Sequence, residues 1–133
     1  MRKQFVHSTD CDDIEMGVRD EVNGSRVYVT PQGNTYPSIT SILGRQPKPG
    51  IEAWKEKVGY QEANKIMKES AALGTMVHSL CEDYLYNEDL QCEDKEAISV
   101  FNRLRFLLGN IDNILCIEAP LHSDILRVAG TAD

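Results

Sequence analysis

His78 lies in the segment Gly74-Thr75-Met76-Val77-His78-Ser79-Leu80-Cys81-Glu82. On a helix, Leu73, Val77, Leu80 and Tyr84 form one apolar stripe, and His78 falls roughly 130° from its centre. An imidazole placed there stands outside the main core. It is either a surface histidine bonded to a neighbour or a working group. Gly74, one turn earlier on that side, leaves a gap where a strand or ligand could approach. Glu82, one turn later, can share the face and orient the imidazole. A solvated helix glutamate accounts for Glu82 equally well.

Four further groups could carry chemistry. Glu118 ends an apolar run, where a charge needs a cation, a hydrogen-bond network or a strand end open to water. Asp133 closes the sequence on Val128-Ala129-Gly130-Thr131-Ala132-Asp133. Strand alternation gives it the face of Thr131 and Ala129, while Gly130 points the other way and permits close packing. A hairpin turning at residues 122–125 pairs Glu118 near Ala129 and leaves Asp133 about 13 Å further along. Ser38, Thr40 and Ser41 cluster where a short helix starts, and hydroxyls there can hold a phosphate or simply cap the helix. Lys57, with Lys65 and Lys68, could line a DNA-facing helix, although a solvated charged face explains the same lysines.

The elements that must position these groups can be read in outline. Residues 1–25 are acidic and weakly patterned, as expected of a flexible N-terminal arm. Arg26-Val27-Tyr28-Val29-Thr30 alternates as a strand, Pro31-Gln32-Gly33-Asn34 turns, and Thr35-Tyr36 completes a hairpin. A short helix over residues 37–43 takes Ser38 as its N-cap. Ile51, Trp54 and Val58 recur at helical spacing up to Gly59, which breaks or kinks the helix. Longer helices are expected over residues 60–86 and 93–108, the latter with Ala97, Phe101, Leu104 and Leu108 on one face. Residues 114–117 are continuously apolar, as in a strand covered on both sides, and a second strand spans residues 126–133. The reading places helices first and then a sheet that has barely begun.

At 133 residues the chain forms one domain with a modest core. A net charge of -7 argues against broad electrostatic attraction to nucleic acid, although ion-binding carboxylates would contribute to it. No apolar run approaches the ~20 residues that span a bilayer, and the N-terminus lacks a signal-peptide core, so no membrane is expected and cytoplasmic residence is the default. Cys11, Cys81, Cys92 and Cys116 form no Cys-x-x-Cys pair and read as small reduced residues.

The pattern Ala-x-x-Gly-Thr-x-x-His-x-x-x-Glu over residues 71–82, then Glu-x-Pro-Leu over 118–121, then Ala-Gly-Thr-x-Asp over 129–133, resembles the opening half of a RecB-like exonuclease. That family belongs to the PD-(D/E)XK nuclease superfamily. The residues 37–43 also resemble a segment ahead of the histidine helix in its phage and mitochondrial members. The resemblance covers residues 26–133 and implies the N-terminal part of an α/β nuclease domain. Its sheet would be restriction-endonuclease-like and mixed, the covered part being α+β with the C-terminal half missing. It implies phosphodiester hydrolysis on DNA, on single-stranded ends, with one or two metal ions. His78, Glu118 and Asp133 become catalytic residues, His78 and Asp133 metal ligands, and Ser38, Thr40, Ser41 and Lys57 nucleic-acid contacts. Hard oxygen ligands suit Mg²⁺ or Mn²⁺, and an imidazole is better tolerated by Mn²⁺. A phage-type protein would work in the infected host cell.

The departures from the family pattern are specific. Its next strand brings a second acidic residue and a lysine, and neither follows Asp133. Some members hold an iron–sulfur cluster through one early and three late cysteines; Cys11 could be the early ligand, but the late trio is absent. A second polypeptide supplying the missing half is one way to complete the site. The last strand, lacking its neighbour, would be an edge open to self-association. Two rival readings stay open: a nuclease-derived module that binds DNA or a partner without cutting, and a helical interaction domain.

Overall fold

A computed structural model describes residues 2–132. It is a mixed α+β structure with a three-stranded antiparallel sheet, four helices and a two-stranded hairpin. The chain divides into two compact units, each assembled from separated segments. One combines Met1–Val6 with Lys48–Ile114; the other combines His7–Pro47 with Leu115–Asp133.

The first unit is helical. Helix α2 spans Pro49–Val58, α3 spans Tyr60–Leu85 and α4 spans Lys95–Leu108. (The shorter α1 belongs to the second unit.) Proline in the first turn suits α2, because that position has no intrahelical N–H partner to lose. Gly59 separates α2 from α3 at φ 97°, a conformation that side-chain-bearing residues rarely adopt. Asp94 caps α4, its carboxylate accepting the Ala97 N–H at 2.8 Å.

The expected apolar stripe of α3 is present, with Val77, Leu80 and Tyr84 buried and Leu73 half-buried. Tyr84 lies edge-on between Phe5 and Phe101, with ring centroids 5.1 and 5.6 Å away. The segment expected to be a loose arm is therefore fastened at its start. Asn87 accepts the Phe5 N–H at 2.8 Å and donates to the Phe5 carbonyl at 3.0 Å. The Lys3 ammonium donates to the Gly109 and Ile111 carbonyls, both at 2.7 Å, placing positive charge at the C-terminal end of α4.

The second unit holds the strands. β1 (Val18–Val22), β2 (Ser25–Val29) and β3 (Thr35–Pro37) form an antiparallel sheet in that order. The expected β2–β3 hairpin is present, whereas β1 lies inside the supposed arm. Its turn is Asn23-Gly24, at φ 53° and 74°, the left-handed pair that closes tight hairpins. After α1 (Ile39–Leu43) and a return to this unit at residue 115, β4 (Ala119–Ser123) pairs antiparallel with β5 (Val128–Ala132). Tyr28, Tyr36 and Ala129 form the buried cluster here, and the Tyr28 hydroxyl meets the Thr131 hydroxyl at 2.8 Å.

Several expectations are corrected. A third strand, β1, joins the expected hairpin ahead of the long helices, and β4 and β5 follow them as a two-stranded hairpin. The apolar run 114–117 is no strand; Ile114 is buried, but its N–H bonds Val6, and Leu115 and Cys116 are exposed. The hairpin turns at residues 124–127, because the Ser123 hydroxyl accepts the Leu126 N–H at 3.2 Å and Arg127 adopts φ 52°. β5 pairs with β4 along one edge, as expected, and on its other edge Ser38 forms an isolated parallel bridge to Ala129.

Candidate functional site

Helix α3 presents His78 outward. Its side chain is 49 % exposed, as expected for a residue off the Val77–Leu80–Tyr84 stripe. Nδ1 lies 3.8 Å from a Glu82 carboxylate oxygen, beyond hydrogen-bond reach but close enough to bias the ring. At Gly74 an added Cβ would meet nothing within 4 Å, so the surface one turn before His78 is open. The pair offers one imidazole nitrogen and one carboxylate from successive turns. Two such donors fit a weakly held divalent ion, with water completing its shell.

Glu118 belongs to the other unit, immediately before β4. It takes φ 53° at a bend, so it does not close a regular strand as expected. The pairing of Glu118 with Ala129 is also corrected: His122 faces Ala129, and Ala119 faces Ala132. The 13 Å separation inferred from the earlier register loses its basis. Asp133 itself lies outside the described residues. Gly130 does make the close contact expected of it, since an added Cβ would come within 3.2 Å of the Ile39 side chain.

The four expected nucleic-acid residues divide between the units. Lys57 is exposed on α2 in the helical unit. Ser38, Thr40 and Ser41 belong to the strand unit, and Ser38 is 1 % exposed. Its hydroxyl faces that of Thr40 at 2.6 Å and makes no capping bond to α1, so Ser38 is not available to a strand of DNA. Thr40 and Ser41 instead line a cleft of about 570 Å³ with Arg19, Asp20, Glu21, Gly24 and Arg26. Arg19 was obscured in the sequence by the weak patterning of the first 25 residues, and Arg26, though read in a strand, had no partner strand to share a face with. Asn23-Gly24 was the signal that could have placed them on a hairpin.

A second cluster in the same unit also escaped the sequence reading. The Tyr36 hydroxyl donates to Asp124 at 2.6 Å, and His122 Nε2 lies 3.7 Å from the other Asp124 oxygen. Asp124, by accepting the phenolic proton, raises the Tyr36 pKa above its usual value of 10.0, with burial adding to the effect. Burial likewise pushes the Cys81 thiol up from 9.0, which keeps it protonated and unreactive. All four cysteines are free. Among the described residues, no helix is long and apolar enough to cross a membrane.

No family model, curated protein or solved structure matches the chain.

Proposed function

We propose that this chain is part of a metal-dependent DNA exonuclease, hydrolysing phosphodiesters at single-stranded ends with Mg²⁺ or Mn²⁺. The observation that carries the reading is the exposure of His78 off the apolar stripe of α3, with Glu82 one turn after it and the open Gly74 surface one turn before. The sequence resemblance supplies the chemistry. The resemblance makes the His78 imidazole a nitrogen donor to the ion. The resemblance assigns metal ligation also to Asp133 and a supporting catalytic role to Glu118. A bound divalent ion would polarise the scissile phosphate and favour hydroxide at neutral pH. Glu82, 3.8 Å from Nδ1, would bias the ring's orientation and offset part of the ion's charge.

A second reading is a nuclease-derived module that binds DNA without cutting it. The cleft at Arg19 and Arg26 favours it, since that surface owes nothing to the histidine helix. Titration with Mn²⁺, followed by loss of its free paramagnetic signal, tests the metal reading. Weak binding that vanishes in His78→Ala and survives in His7→Ala is expected. Mn²⁺ binding indifferent to His78, or none at millimolar ion, would refute it.

A further inference from the structure

We infer that the cleft between the β1–β2 hairpin and α1 is a binding site for a phosphoryl group. Arg19 stands opposite Tyr28 in the sheet register, and Glu21 stands opposite Arg26. Strand alternation places the side chains of Arg19, Glu21 and Arg26 on one face and directs Asp20 to the other, with Val27. Two guanidinium groups and the Glu21 carboxylate share one face, and Asp20 also borders the cleft, so its lining holds two arginines and two acidic residues. Thr40 and Ser41 contribute hydroxyls from the facing segment.

Neither guanidinium has a hydrogen-bond or ion-pair partner among the described residues, although Arg26 is half-buried. A partly desolvated arginine with open donors favours an anion, and its planar fork matches two phosphate oxygens. Ser38 is positioned to engage the Thr40 hydroxyl as either donor or acceptor. When Ser38 donates, the Thr40 proton is free to point into the cleft. The Ser41 hydroxyl is free to donate as well. Helix α1 has only five residues, so side chains, and not its dipole, would supply the anion contacts. Asp20 and Glu21 would repel a simple polyanion but can accept from a sugar or base donor. The mixed lining, in a space larger than one phosphate, suits the phosphorylated end of a nucleic-acid strand. That choice of ligand rests on the proposed function, whereas the phosphoryl site does not.

The test uses the full chain with three probes: inorganic phosphate, a short single-stranded oligonucleotide with a 5′-phosphate, and the same strand without it. Amide shifts at Gly24, Thr40 and Ser41 report the cleft, and anisotropy reports the strand. The phosphorylated strand should bind roughly tenfold more tightly than its partner. That preference should disappear in Arg26→Gln, shrink in Arg26→Lys and Arg19→Gln, and persist in His78→Ala. Unchanged circular dichroism in the exposed Arg19→Gln variant guards against misfolding as the cause. Arg26-dependent shifts with inorganic phosphate but no strand binding would support the site and overturn its assignment to nucleic acid. No shifts with any probe, or shifts indifferent to both arginines, would overturn the proposal while leaving Mn²⁺ binding to judge the nuclease reading.

Discussion

His78 and Gly74 make opposite demands on α3. A helix-interior glycine costs about 1 kcal/mol relative to alanine, and nothing lies within 4 Å of the Cβ that Gly74 lacks. Gly74→Ala should therefore raise thermal stability by about that amount, read as an increase in Tm. If the open surface serves the ion beside His78, the same variant should bind Mn²⁺ less well; equal binding would reduce Gly74 to a tolerated defect. Tyr36 gives a pH prediction. Its folded-state pKa is raised by Asp124, so the folded chain holds the phenolic proton more tightly than the unfolded one. That contribution is complete below pH about 10 and fades as pH rises through the folded value. Asp124→Asn should lower the Tyr36 midpoint, followed by NMR of labelled tyrosine. A midpoint unaffected by Asp124 would contradict the cause assigned here.

Local periodicity made the helices legible and hid much of the sheet. Val77, Leu80 and Tyr84 announce the buried stripe of α3, and the chain honours it because a 3.6-residue repeat admits one solution. Asp94 marks the start of α4 by a mechanism that acts within four residues. Replacing it by alanine should cost about 1 kcal/mol and lower the urea midpoint; a shift below a few tenths would mean water replaces the cap. The strands depend on distant partners instead. β1 reads Val-Arg-Asp-Glu-Val and is exposed throughout, so no apolar alternation betrays it. Leu126 was expected to open a strand, yet it is 72 % exposed at the hairpin tip, beside Ile125 at 94 %. Their placement follows from Ser123 and Arg127, which sequence hydrophobicity does not weigh. For the site, the position of His78 was readable from its helix alone. Arg19 and Arg26 were not, because their common face exists only once β1 and β2 pair.

At the scale of the whole chain, the two compact units give separate handles on stability. Trp54, the single tryptophan, lies half-buried on α2 and reports the helical unit. Asp94→Ala should lower the denaturant midpoint seen by Trp54 fluorescence, whereas Asp124→Asn should chiefly lower a signal from Tyr36 in the strand unit. If both substitutions displaced both probes equally, the units would unfold as one cooperative structure.

The segments of the units alternate along the chain, and this bears on birth at the ribosome. Synthesis of 133 residues takes roughly 7–27 s at ordinary elongation rates. Phe5 emerges early, but its partners Tyr84 and Asn87 are made much later, and Lys3 waits for Gly109 and Ile111. Tyr28 waits for Thr131. The strand unit cannot close until residues after 114 are made, whereas the helical unit is complete at Ile114, so Phe5 waits for Tyr84 and Tyr28 waits for Thr131. Holdase capture of stalled nascent chains should consequently persist past residue 87 and decline only once residues 114–132 have cleared the tunnel.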